Sequence, residues 1–323
     1  MPSVFTVASK EFSDIVKGKR FIILVTIFVL LVIVAQTTVY ISISSIRQGA
    51  LPRGFLGSAA YSLVTIMSYF APIVGIALGF DVISGEREKG TLKIVLAQPI
   101  YRDMVFNGKF IAATLAVSLA VLVASVVNVG GAIVALGITP SSEDVIRLAL
   151  FMIFSILFAM AYYAISAFLS TVSRRTSQSI IVAVILWAAF AFIIPVLALL
   201  VASALVPISF RPQNITRTNM TTFRPPEMQQ YTSQMIARAQ ITSLINSFTP
   251  NYHFTRIAEY VLGVYAGIGA GAGGGVTVSP GSSASTSLAV NLVSAWPNIL
   301  VLVTVTVLLF IASYMLFTRQ EVR

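Results

Sequence analysis

The sequence predicts an all-α polytopic membrane protein. It has six transmembrane helices, an N-terminal amphipathic helix and an enlarged extracytoplasmic segment between spans five and six. Three observations lead there. Of the 323 residues, 57% are hydrophobic and 10% are charged, where a soluble domain carries about 25% charged residues. Mean hydropathy is +0.91, so lipid has to be part of the solvent. The charges fall in clusters between uncharged stretches, and several of these reach the ~20 apolar residues that cross a hydrocarbon core.

The elements follow in order. Residues 1–20 place Phe5, Ala8, Phe12, Ile15 and Val16 at helical spacing opposite Lys10, Glu11, Ser13, Asp14 and Lys17. This is an amphipathic helix expected at the membrane interface. Span one runs from Phe21 to Ser45 without a charge, far longer than the ~7–15 apolar residues of a signal peptide. Span two runs from about residue 59 to 80, span three from about 110 to 136, and span four from 148 to about 171. Span five begins near Ser179 in an uncharged stretch that reaches Phe210 and contains Pro195, a kink candidate. Span six covers about 293–317. The expected division is 1–20, 21–209 with a charged loop at 81–109, 210–292 outside, and 293–323 for the last span and tail.

Orientation follows the excess of Lys and Arg in short cytoplasmic loops. With the N-terminus inside, all six lysines (Lys10, Lys17, Lys19, Lys89, Lys93 and Lys109) fall on the cytoplasmic side. Six spans then leave both termini cytoplasmic, in the plasma membrane. Two sequons, at Asn214 and Asn219, fall in the outer segment as candidate glycosylation sites.

The net charge of +10 belongs to these flanks. No basic stripe with interleaved aromatics or nucleic-acid-binding motif accompanies it, so no nucleic-acid partner is expected. The chain has no cysteine and a single histidine, His253. That removes disulfides and thiolate sites and disfavours copper, other metal centres and hydrolytic triads. No catalytic, metal or cofactor-binding residues are assigned.

The outer segment reads as a helix over 227–248, ended by Pro250, then an amphipathic stretch at about 254–264. A Gly/Ser-rich tract over 267–287 follows, as a hairpin or linker. The loop at 81–109 holds the densest charge. It contains Asp81, Glu86, Arg87, Glu88, Lys89, Gly90, Thr91 and Lys93, then an apolar run with Leu92, Val95 and Leu96 up to Pro99. That length exceeds a plain helix connection of about 2–8 residues, which points to a docking element.

The order Glu86, Glu88, Gly90, Thr91, Leu92, Leu96, Pro99, Arg102 and Lys109 resembles the loop between spans two and three of ABC-2-type transporter permeases. The wider layout resembles that family too, as does the stretch from Ser247 to Phe254 before the last span. The resemblance implies a permease without its own ATPase, coupled to separate ABC ATPase subunits that bind ATP and Mg. It implies that Glu86, Glu88, Gly90, Thr91 and Leu92 lie at the ATPase-coupling contact. It also implies a second permease subunit, same or homologous, and export more often than import. The apolar composition suits an amphiphilic, lipid-linked or peptide-like substrate in contact with membrane lipid. Gly85 and Gly90–Thr91 imitate the spacing of a phosphate-binding loop, but the lysine between glycine and threonine is missing.

The alternatives are a non-ABC channel or secondary transporter, an intramembrane enzyme, and an anchor or sensor using the outer segment. A coupled transporter would carry ionisable residues mid-membrane. The spans offer only polar groups such as Gln36, Thr37, Thr38, Asn128 and Ser155 there.

Overall fold

The computed structural model describes residues 3–45, 55–91, 101–136, 140–208, 225–267, 277–280 and 288–319. Leu92, Asn214 and Asn219, three of the sequence-assigned positions, lie outside them.

Helix α1 spans Val4–Lys17, and its N-cap Ser3 accepts a hydrogen bond from the Thr6 amide. Gly18 breaks the helix, and α2 begins at once at Lys19 and runs to Ser45. Helix α3 covers Phe55–Gly79 and a short α4 covers Ser84–Glu88. Helices α5 (Arg102–Leu136) and α6 (Ser142–Val172) follow. Ser141 and Asp144 close a capping box at the start of α6, satisfying two amides that a helix start leaves unpaired.

The fifth span is built from α7 (Thr176–Ala188), a π-helical turn at Ala189–Ile193 and α8 (Ile194–Leu205). The π turn lies directly before Pro195, which has no amide to donate and whose ring crowds the preceding turn. A widened turn accommodates both defects without ending the helix. Beyond it come α9 (Pro225–Asn246) and α10 (Pro250–Leu262). A two-stranded antiparallel ribbon pairs β1 (Val264–Gly267) with β2 (Thr277–Pro280), Val264 opposite Pro280. Helix α11 spans Leu288–Arg319.

Six helical stretches have the length and apolarity to cross a membrane: α2, α3, α5, α6, α7–α8 and α11. The fold is the expected all-α, six-span class, with the one small ribbon added. Helix α6 is the hub, since it is the most buried of the six spans and the fifth is the least buried. Its partners are α3, α5, α10 and α11. The approach to α3 is close because α3 presents Gly75 and Gly79, one turn apart on one face. A Cβ on Gly79 would stand 2.8 Å from the Tyr163 carbonyl oxygen, and one on Gly75 2.9 Å from the Tyr163 amide. Elsewhere large rings fill the core. Phe28 stacks on Phe70, and Phe110 sits edge-on to both Tyr163 and Phe310.

Two expectations for the segment after span five change. Pro250 does not merely end a helix but occupies the first turn of α10, where its missing amide costs nothing. And α10, expected in the extracytoplasmic segment 210–292, packs into the bundle. Phe254 stacks on Phe158 at 4.3 Å, and Asn251 accepts a hydrogen bond from the Tyr162 hydroxyl. Phe158 lies eleven residues further along α6 than Arg147, about 16 Å at ~1.5 Å per residue. That is half of a core about 30 Å thick. Helix α10 therefore dips from the bundle's distal end, opposite α1, to the middle of the span.

Candidate functional site

The side of the bundle that carries α1, α4 and Arg319 gathers most of the charge. Its centre is Lys109, in the second turn of α5, with a side chain only 8% exposed. Its ammonium lies 3.0 Å from Glu11 Oε2 and 2.7 Å from Glu86 Oε1. One buried cation thus joins α1, α4 and α5. Beside it α1 rests on α5 through Val7 and Ala8, which cover Gly108 so closely that a Cβ there would meet the Val7 side chain at 2.7 Å. Arg20 pairs with Asp81, tying the start of α2 to the end of α3.

The loop after α3 is equally tied to α6 and α7. The Ser170 hydroxyl accepts from the amides of Ile83 (3.1 Å) and Ser84 (2.9 Å). The Ser84 hydroxyl donates to the Phe80 carbonyl, leaving Ser170 to donate to it at 3.0 Å. Arg87 donates to the carbonyls of Ser173 and Thr171 at the C-terminal end of α6, where a cation also meets the negative end of the helix dipole. Glu88 accepts from the Thr176 amide at 3.0 Å and so caps α7.

The sequence-assigned coupling residues divide accordingly. Glu86 is half-buried and ion-paired inside the protein. Glu88 and Thr91 are exposed, Thr91 donating to the Glu86 carbonyl. Gly90 adopts φ = +71° with nothing within 4 Å of its missing Cβ. Its glycine is required by the left-handed turn that ends α4 and not by crowding. A cleft of ≈ 520 Å³ opens between α1, α3, α4 and α5, floored by Phe21, Ala113 and Tyr163.

Burial alone would hinder ionisation of Glu11, but the neighbouring Lys109 and Lys10 outweigh it and hold the carboxyl below its ordinary value of 4.5. A lowered folded value stabilises α1 docking at every pH above the ordinary value, and the benefit is lost as pH falls through the lower one. Hydrogen exchange of the α1 amides is therefore expected to be independent of pH from neutrality down to about 4.5, after intrinsic-rate correction, and to accelerate only below it. Loosening between pH 8 and pH 6 would contradict this assignment.

At the distal end, Arg147 is buried and fixes α10. It donates to the Val261 carbonyl at 2.9 Å and to Glu143 at 2.7 Å and 3.0 Å. Gly263, at φ = +67°, terminates α10 in the left-handed cap. His253 lies 2.8 Å from both Asn298 Oδ1 and the Ser247 carbonyl, joining α10 to α11 and to the end of α9. Between α3, the π turn and α10 lies a second cleft of ≈ 450 Å³. Its walls include Ser68, Tyr69, Phe190, Asn246, Tyr252 and Glu259. No cluster of three or more potential metal ligands occurs among the described residues.

Sequence reasoning missed both the depth of α10 and the junction at Lys109. The first had a signal: Pro250, His253, Phe254, Ile257, Ala258 and Val261 are all buried and recur at helical spacing. The second is a meeting of residues 98 and 23 positions apart in the chain, which no local pattern reveals.

Known proteins show the same arrangement of sequence. The family profile of "ABC-2 family transporter protein" matches residues 5–322. The "Probable ABC transporter permease protein NosY" of Pseudomonas aeruginosa is 30% identical over 214 residues, covering 63% of this chain and 73% of the relative. That of Stutzerimonas stutzeri is 29% identical over 209 residues, covering 63% and 72%.

Proposed function

The chain belongs to the ABC-2 transporter family and is a transmembrane permease subunit of an ABC transporter; from that premise we propose that it is an exporter half driven through the exposed end of α4. ATP and Mg are bound and turned over on a separate ABC ATPase subunit. The side carrying α1 and α4 is cytoplasmic, as are both termini, in the plasma membrane. The segment between the last two spans, 210–292, is on the outer side, with α10 folded back into the bundle.

The observation that carries this reading is the anchoring of the loop at 81–91. Backbone and side-chain bonds fix it to α6 and α7, and Lys109 fixes it to α1 and α5. A force applied at its exposed end therefore reaches four helices at once. Glu88, Gly90 and Thr91 are the surface that meets the ATPase, with Leu92 continuing it. Glu86 acts one step inside, passing the displacement to Lys109. A solvated connecting loop would need none of these bonds.

Two permeases complete the pathway. The fifth span, the least buried of the six, leaves a face for a second copy and for membrane lipid. The substrate is amphiphilic, lipid-linked or peptide-like, in keeping with the mixed polar and aromatic lining of the distal cleft.

Gentle purification of the tagged permease from its native membrane tests the reading. A soluble P-loop ATPase is expected in near-stoichiometric yield. It should be lost on Thr91→Arg combined with Glu88→Lys, and kept with Glu88→Gln, which preserves an acceptor for the Thr176 amide. Recovery of the permease alone, with no nucleotide-dependent partner, would favour a channel or an anchor.

A further inference from the structure

The distal cleft brings one unpaired acceptor together with a carboxylate and an aromatic wall. Asn246, at the end of α9, has its side-chain oxygen Oδ1 buried without a hydrogen-bond partner among the described residues, and it lines this cleft. A buried acceptor left unpaired is costly and rare. It is satisfied when a donor occupies the space in front of it.

Glu259 lines the same cleft with its side chain 12% exposed. Arg256 holds one of its oxygens, Oε2, at 2.9 Å and lies 5.6 Å from the centre of the Tyr252 ring. Two residues of the cleft wall, Glu259 and Tyr252, thus already hold one organic cation between a carboxylate and an aromatic face, the pairing that suits ammonium and guanidinium groups. Arg256 is itself 41% exposed, so it can turn to water when another cation arrives. Tyr69 and Phe190 supply further aromatic wall, and Ser68 and Thr65 supply hydroxyls.

We propose that this cleft binds an amphiphile with a primary ammonium head. The head donates to Asn246 Oδ1 and faces Glu259, and the apolar body lies along Tyr69, Phe190 and Tyr252. The inference rests on the transporter reading for its purpose, since it names the substrate class, but not for its test. Phe190 and Pro195 of the fifth span line the cleft, which is the side from which a molecule dissolved in the bilayer would enter. An anionic head would instead meet a carboxylate and an unpaired oxygen.

The chain contains two tryptophans. Trp187 sits edge-on to Phe192, which stacks on Tyr69 of the cleft. In a Trp296→Phe background it is the chain's one tryptophan donor, and the saturable part of the transfer reports on the cleft. The full-length permease in lipid nanodiscs is titrated with dansylcadaverine, a primary amine whose dansyl group accepts energy from tryptophan. Saturable transfer is expected, with an apparent Kd at least tenfold weaker for the N-acetylated probe and for Glu259→Gln. That variant keeps an acceptor for Arg256. Asn246→Leu removes the unpaired oxygen, so it should raise the melting temperature of the free protein while weakening the probe several-fold.

Transfer that never saturates, that is equal for the acetylated probe, or that is untouched by both substitutions would overturn the proposal. The titration needs no ATPase. A permease that co-purifies its ATPase but fails this titration loses only the ammonium site. One that binds the probe but recruits no ATPase loses only the transporter reading.

Discussion

Replacing Gly75 by alanine is expected to cost more than the same change at any other described glycine. The new Cβ would overlap the Ala159 carbonyl oxygen and approach the Tyr163 amide to 2.9 Å. Both obstacles are backbone, so no rotamer change relieves them. Overpacking a rigid contact costs about 1–3 kcal/mol, occasionally more. Here the upper end applies, because α6 is the hub and cannot retreat without loosening α11 and α10. Thermal melting of the detergent-solubilised protein should fall by several degrees for Gly75→Ala, and Gly75→Leu should yield no monodisperse species. Gly131→Ala is the internal control. Its nearest neighbour would be Gln36 Cγ at an ordinary 3.5 Å, so its melting point should stay unchanged. Equal effects at both positions would show that helix propensity and not helix approach is being measured.

The second large effect is expected at Lys109. Lys109→Met leaves Glu11 and Glu86 facing each other around a position that is 8% exposed. Removing one member of a buried ion cluster costs about 3–5 kcal/mol, because the remaining charges stay desolvated and uncompensated. The loss should be local at first. α1 should become more accessible to protease while the six spans remain assembled, because Lys109 is the ion-pair partner that ties α1 to α5 and leaves it resting on Phe12, Ile15, Val16 and the Gly108 contact. The triple variant Lys109→Met with Glu11→Gln and Glu86→Gln should recover part of the loss, since it removes the stranded charges. No recovery would mean that Lys109 acts through packing of its stem.

These two positions mark what the sequence makes legible and what it hides. The six spans were readable because each is an uninterrupted apolar run, and each run coincides over most of its length with an observed helix, although α5 starts eight residues and α6 six residues before its run. One of the shifted ends is explained by capping. α6 starts earlier than its apolar stretch because Ser141 and Asp144 cap a polar first turn. The π turn before Pro195 was foreseeable as a kink, but its form depends on backbone geometry. The charged loop was legible as something more than a connector. Its internal bonding was not, because Ser170, Thr176 and Lys109 lie far from it in the chain. Only contact distances show that Glu86 faces inward while Glu88 and Thr91 stay exposed. Helix α10 hid for a related reason. A single apolar stripe of thirteen residues is too short to span a membrane, and nothing local says whether it lies on a bundle or sinks into one.

The most direct measurement of the central claim uses the absence of native cysteine. A single cysteine at Thr91, carrying a short-reach photo-crosslinker, is illuminated in native membranes, with a cysteine at Ser233 on α9 as the distal control. The account predicts an ATP-sensitive adduct between position 91 and a P-loop ATPase subunit, and none from position 233. An ATPase that co-purifies with the permease yet never cross-links from position 91 would contradict the docking role given to the end of α4.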